Sequence, residues 1–285
     1  PSKWLFGLEG ARTVGTLRNV AVYTSTLLFC ALLLFHYAMH SASKWLRFGL
    51  LLTFGLALYC IFMSFSRGSW LGGILVTVVL IFTYPKVMLR FSLLLAVLIF
   101  FLSSSLLADQ VAWGYERLTG EASKVSAESR VTANDASLSM LKAEPLFGWG
   151  YNNYDEAKQP FMRRVGEIKI YDTTSHNTYL TILAEQGVPS FIFFVFPTIW
   201  WFILTLKVWR RLPRQGFRSR PLLLMLWLVL LHMFVVSNFM DMVRLHPFGT
   251  TIWWMVLGFI GSVVYPQLRS DDIGRPQWAL KARRH

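Results

Sequence analysis

Charge is what this 285-residue chain has least of: 15% of its residues are Asp, Glu, Lys or Arg, against roughly 25% in an average soluble chain. With 54% hydrophobic and 16% aromatic residues, that scarcity excludes a water-soluble domain. The apolar residues fall in blocks of about twenty parted by short basic loops, the spacing a bilayer demands. Cysteine is scarce too, and Cys30 and Cys60 both lie inside apolar blocks, so they read as soft packing residues, with no disulfide framework and no metal cluster. Three motifs are missing: the G-x-x-x-x-G-K-[ST] loop for ATP, the G-x-S-x-G elbow of a serine hydrolase, and the D-x-D pair by which many nucleotide-sugar transferases hold a divalent cation. Those absences argue against an ATP-driven pump, a serine hydrolase and a cytosolic sugar-nucleotide donor, and leave metal-free chemistry driven by the substrate. His36 and His40 have a metal-compatible spacing, but no carboxylate or cysteine neighbours them in sequence. No metal and no other cofactor is expected.

What is present reads as an all-α, polytopic membrane protein with about seven spans, near 19–40, 46–65, 69–84, 88–107, 188–208, 221–239 and 247–266. The third is short for a hydrocarbon core of about 30 Å. Lys44, Arg47, Lys86, Arg90, the cluster from Lys207 to Arg220 and the tail from Arg269 to Arg284 put fifteen cations on one face, opposed there only by Asp271 and Asp272. The other face is balanced, so the whole net charge of +13 belongs to the first, which the positive-inside rule makes cytoplasmic. The charge is a topology signal and a contact for anionic membrane lipids, and nucleic acid is not needed to explain it. The chain then divides into four spans (1–107), an external loop with short helices (108–187), three spans (188–266) and a basic cytoplasmic tail (267–285). An odd number of spans leaves Pro1 to Asn19 outside, and a chain starting there without Met or a signal peptide is expected to be a fragment that further spans precede.

Ala108 to Ser175 forms one external segment of 68 residues, with eight Lys or Arg and ten Asp or Glu, and is expected to fold as a small helical cap. A helix is predicted over Val125 to Ala143, with Val131, Ala133, Leu138 and Leu141 on its apolar side. Glu144-Pro145 ends it, because a residue before proline avoids the α region. A glycine-aromatic turn, Gly148-Trp149-Gly150-Tyr151, follows.

The run from Thr173 to Ser190 predicts a second helix capped by Ser175 or Thr174 and stopped by Gly187 in a left-handed conformation, with Pro189 preventing continuation. His176 would sit in its first turn, where the positive end of the helix dipole favours a neutral imidazole able to accept a proton. A solvated histidine at a helix end is the plainer alternative. Arg67, in the tight external connection Ser66 to Leu71, lies on the face where topology does not favour cations and at the depth of lipid phosphates, which a guanidinium can grip bidentately. Snorkelling to head groups is its alternative. Arg130 falls on the predicted cap helix, where a solvated charge is also ordinary. Asp241 and Arg244 read as a local pair, and Trp200, Trp201, Trp253 and Trp254 as interfacial or lipid-facing aromatics.

Two of these pieces resemble the signature of the bacterial O-antigen ligase family. Its R-x-x-x-L element matches Arg67 to Leu71, and its H-[NSQ]-x9-G-x-x-[GTY] element matches His176, Asn177 and Gly187, departing only at Ser190. Arg130, ahead of Leu141 and the Pro145 to Gly148 turn, is similar in position and context to the family's second functional arginine. The similarity covers roughly Gly15 to Pro266. It implies a GT-C type membrane glycosyltransferase of the bacterial inner membrane, active at the periplasmic face in lipopolysaccharide biosynthesis. That enzyme would be metal-independent and inverting, moving a polysaccharide from undecaprenyl diphosphate to a hydroxyl of the lipid A-core. His176 would be its base, Arg67 and Arg130 the diphosphate-binding residues, and Asn177 and Gly187 their support. An O-antigen polymerase or a protein O-oligosaccharyltransferase shares the donor and remains open. A non-enzymatic flippase or exporter predicts charged residues inside the spans, which are nearly uncharged here.

The orientation is tested by cysteine labelling with an impermeant reagent. Positions Ser66, Ser126 and Asn153 should react from the periplasm and Ser219 should not; labelling at Ser219 from that side would reverse the topology.

Overall fold

The structure, a computed structural model, describes residues 19–102, 114–115, 119–162, 175–242 and 247–273. Its elements are helical: α1 (Val20–His40), α2 (Lys44–Phe62), α3 (Arg67–Thr83), α4 (Pro85–Leu102), α5 (Glu121–Ala143), α6 (Tyr154–Ala157), α7 (Thr178–Val208), α8 (Arg220–Ser237) and α9 (Pro247–Ile273), with a 3-10 turn at Gln159–Phe161. Five of them, α1, α2, α7, α8 and the Pro247–Arg269 part of α9, are long and apolar enough to cross a membrane. The helix α3 is apolar but only 17 residues long, about 26 Å at 1.5 Å per residue. The expected fourth span, 88–107, is described only to Leu102, so the seven-span count goes beyond the five helices that meet the criterion.

Side-chain caps start the first helices. Asn19 Oδ1 accepts from Val22 N (3.0 Å) and Ser43 Oγ from Leu46 N (3.3 Å), each satisfying a donor that the helix itself leaves unpaired. The centre of the bundle is α1 with α8, where Leu28, Leu32, Phe35, Leu223 and Met233 are fully enclosed. Against α8 lies α3, along a face of small residues. A Cβ on Gly72 would come 2.6 Å from His232 Nδ1, and one on Gly68 would come 2.9 Å from the Cβ of Phe239. Glycines four apart let two helices approach closely where lipid gives apolar surfaces no reason to associate.

The helix α7 is broken at Gly187, whose φ of 75° and ψ of −179° are non-helical. In a straight helix Tyr179 and Phe194 would be about 22 Å apart at 1.5 Å per residue. Their rings lie 6.4 Å apart, and Tyr179 also meets Phe191 at 6.3 Å. The chain therefore folds back on itself, a short outer arm (178–186) leaning over a long arm (188–208). The predicted stop at Gly187 and the span beginning at 188 are two arms of one bent element.

The predicted cap helix is found as α5, ending at Ala143 before Glu144. Its buried face is the expected one only in part: of the four residues predicted there Ala133 is buried and Leu141 half-buried. Val131 and Leu138 are exposed, whereas Ser129, Thr132, Ala133, Ala136, Ser137 and Met140 are buried. Small side chains face inward because Tyr154 fits between the helices, its hydroxyl donating to Ala133 O (2.9 Å) and lying 2.8 Å from Ser137 Oγ.

Main-chain hydrogen bonds dock the turn after α5 on the bend of α7. Val188 N donates to Pro145 O (2.9 Å), Trp149 N to Ala184 O (3.0 Å) and Gly150 N to Glu185 O (2.8 Å). A Cβ on Gly187 would sit 2.2 Å from Leu146 O, and one on Gly148 would sit 2.4 Å from the carbonyl carbon of Glu185. Gly187→Ala should therefore destabilise the protein by at least about 2 kcal/mol, from collision and a backbone conformation that side chains resist. The readout is the thermal midpoint in detergent. Gly258→Ala, whose added Cβ meets nothing within 4 Å, should not lower it, and equal midpoints for the two variants would remove this contact from the fold's support.

Candidate active site

Arg67 is the first residue of α3 and is half-buried. The start of its helix is fixed from below. Ser66 caps it, Ser69 Oγ donates to Ser66 Oγ (3.0 Å), and Ser69 Oγ lies 2.8 Å from Thr24 Oγ1 of α1. Phe65, just before the cap, has φ 48°, and Trp70 Nε1 donates to Phe62 O (2.8 Å), closing the short connection between α2 and α3. The arginine that opens α3 is thus presented by a tight, internally bonded turn.

His176 does not sit in the first turn of its helix, as expected, but just ahead of it. The cap is Asn177, not Ser175, and Thr174 lies outside the described residues. Asn177 Oδ1 accepts from both Tyr179 N (3.0 Å) and Leu180 N (3.2 Å), satisfying two of the helix's four free donors at once. Ser175 instead braces the approach: its Oγ accepts from Asn177 N (3.1 Å) and lies 2.6 Å from Thr181 Oγ1. Held between them, His176 has φ 50°, the left-handed region, and its half-buried side chain stays at the positive end of the helix.

A polar relay joins these two helix starts. Thr178 Oγ1 accepts from Met242 N (3.1 Å) and lies 3.2 Å from Met240 O and 3.4 Å from Asp241 Oδ1, and Ser25 Oγ of α1 donates to Met242 Sδ (3.3 Å). Ser25 adjoins Thr24, which meets Ser69. The start of α3, the start of α7, the first turns of α1 and the loop after α8 therefore share one end of the bundle. Asp241 is buried there, one residue from the main-chain contact to Thr178. Its expected partner, Arg244, lies outside the described residues.

Arg130 is positioned by α5. The helix packs beside the outer arm of α7 through Met140, Ala184 and Tyr154, and both end at the Gly148–Gly187 contact. Arg130 lies about 21 Å back from Glu144, and Thr178, the helix start just after His176, about 14 Å back from Gly187, at 1.5 Å per residue. Parallel packing thus carries Arg130 toward the same end of the pair as His176.

Three residues that sequence reasoning passed over support this arrangement. Glu185 is fully buried, and its carboxylate accepts from Asn152 N (3.0 Å) and Tyr154 N (2.9 Å), charge-assisted bonds that fasten the turn after α5 to the outer arm of α7. Tyr154 fills the space between the helices, and Thr178 ties α7 to the loop after α8. For Glu185 a signal existed: a carboxylate in an apolar run, two residues before a glycine, needs a partner to be buried. For Thr178 none did, since its contacts are more than sixty residues away.

No curated protein matches the chain. The model of the O-antigen ligase family matches residues 52–195, just over half of the 285. The match contains Arg67, Arg130, His176, Asn177 and Gly187, and the contact of the turn after α5 with Gly187, whereas Thr24, Ser25, Asp241 and Met242 lie outside it. By that match the chain belongs to the O-antigen ligase family.

Proposed function

We propose that this protein is a metal-independent, inverting glycosyltransferase of the GT-C type. It transfers a glycan from undecaprenyl diphosphate to a sugar hydroxyl of the lipid A-core, at the periplasmic face of the inner membrane. The coarse part of that statement, a membrane protein of O-antigen ligase or polymerase type, follows from the family and the apolar helices. One observation carries the finer part: two otherwise unrelated helix starts, bearing Arg67 and His176, are bonded into one end of the bundle through Ser69, Thr24, Ser25, Met242 and Thr178.

In this reading the acceptor oxygen attacks the anomeric carbon as the bond from that carbon to the diphosphate oxygen breaks. The hydroxyl proton passes to His176, and the electron pair leaves with the diphosphate, whose added charge Arg67 and Arg130 hold. A left-handed His176 ahead of a capped helix suits this task, since the residues on either side of it, Ser175 and Asn177, are both held by hydrogen bonds. Asp241, buried beside Thr178, gives the same end of the bundle a carboxylate.

The assay is incubation of the full-length protein in liposomes with lipid-linked glycan and candidate acceptors, the product being identified by mass spectrometry. Transfer to lipid A-core supports the ligase; elongation of the glycan or transfer to protein would replace it with a polymerase or a protein O-oligosaccharyltransferase. His176→Ala should lower transfer by about 10²- to 10⁴-fold while donor binding persists, because a lost base leaves the phosphate grip in place. Near-normal turnover in that variant would end the role of His176 as base.

At Arg67 the comparison is between charge and geometry. A bidentate grip on diphosphate predicts that Arg67→Lys weakens donor binding clearly and Arg67→Ala more so, measured at matched membrane levels. An arginine that only snorkels would be replaced by lysine without loss, and full activity in both variants would sink the phosphate-binding role.

A further inference from the structure

The turn that follows α5 carries two of the most exposed apolar side chains on the outer part of the molecule, Leu146 at 60% and Phe147 at 83%. Their exposure is not that of a loose loop. Pro145 O accepts from Val188 N, and the main chain of Leu146 and Phe147 lies against Gly187 so closely that a Cβ there would collide. The turn is locked to the top of the long arm of α7.

That place has a defined depth. From Val188 to Val208 the long arm has 21 residues, about 31 Å at 1.5 Å per residue, which matches a hydrocarbon core of about 30 Å. Directly below the turn, Val188, Ile192, Phe193 and Phe196 form an exposed apolar stripe on this spanning arm. Leu146 and Phe147, exposed as well, sit against Gly187, one step past the end of that arm. From Pro145 to Tyr154 the sequence holds no charged residue and includes Trp149 and Tyr151, the residue types that settle at membrane–water boundaries.

We propose that the Leu146–Phe147 turn is a membrane anchor. It inserts into the interfacial layer of the leaflet nearest the candidate active site and sets the height of α5, and hence of Arg130, above the bilayer. The occupant of this surface is lipid, because the turn adjoins the exposed apolar face of an arm long and apolar enough to cross a bilayer. The inference needs only that α7 spans the membrane and is independent of the reaction proposed above.

The test uses the full chain in liposomes with Cys30 and Cys60 replaced, and a nitroxide spin label placed singly by Phe147→Cys, Leu146→Cys, Phe193→Cys or Asp135→Cys. Collisions with oxygen, which concentrates in lipid, are compared with collisions with a water-soluble nickel chelate. Phe193 on the span and Asp135, exposed on α5, bracket the scale. The expected result is an oxygen-to-nickel ratio at 146 and 147 raised above that at 135 and no higher than that at 193. A ratio equal to that at Asp135 would place the turn in water and overturn the proposal. Protection from both reagents would mean a protein partner covers it, and would overturn it equally. Since the measurement requires no substrate, failure of the proposed reaction leaves its outcome unaffected.

Discussion

Gly148 lies against Glu185 and Gln186, and Gly187 against Leu146 and Phe147, so that two stretches of main chain come closer than any side chain would permit, and the outer part of the molecule depends on that contact. The bend of α7, the turn after α5, and the lateral packing of the two helices all converge there. Hydrogen bonds from Val188, Trp149 and Gly150 hold the contact, and the carboxylate of Glu185 secures it from inside by taking two more amides of the same loop. A glycine that a sequence pattern marks only as a stop is in the structure a joint between a spanning helix and the cap helix above it.

The second organising feature is the use of hydroxyls within an apolar bundle. Thr24, Ser25, Ser69 and Thr178 are all buried, and each has a partner on another helix or loop. In a low-dielectric setting such contacts are directional in a way that leucine packing is not. They make the relative positions of α1, α3, α7 and the loop after α8 specific at the end where the candidate residues lie. Lower in the bundle, the packing is mostly Leu, Met and Phe, with His232 set against Gly72.

Much of this was legible in the sequence because its causes are local or periodic. Hydropathy marked the five helices long and apolar enough to cross a membrane, the proline after Glu144 ended α5, and Gly187 has the expected positive φ, though its ψ of −179° lies outside the left-handed helical region. The cap of α7 was misread because Ser175, Thr174 and Asn177 are all competent cap residues, and only the geometry of the chain entering the helix chose Asn177, whose carboxamide reaches two amides. The buried face of α5 was legible only in part, Ala133 lying inside but Val131 and Leu138 outside, for a different reason. Large apolar residues normally mark the inner side, but here Tyr154 arrives from outside the helix, and the alanines and serines make room for it. Long-range contacts such as Thr178 to Met242 leave no trace in local pattern at all.

The nine residues between Asn177 and Gly187 have a consequence of their own. Thr178, Thr181 and Glu185 within that interval are buried and face three different neighbours: the loop after α8, the hydroxyl of Ser175 and the amides of the turn after α5. An α-helix turns by about 100° per residue, so adding or removing a single residue would swing Gly187 well away from Leu146 while the histidine end stayed put. The interval thus behaves as a phase relation between two ends of one rotor: its length can change only by whole turns, and even then the cap helix would be lifted by a full pitch.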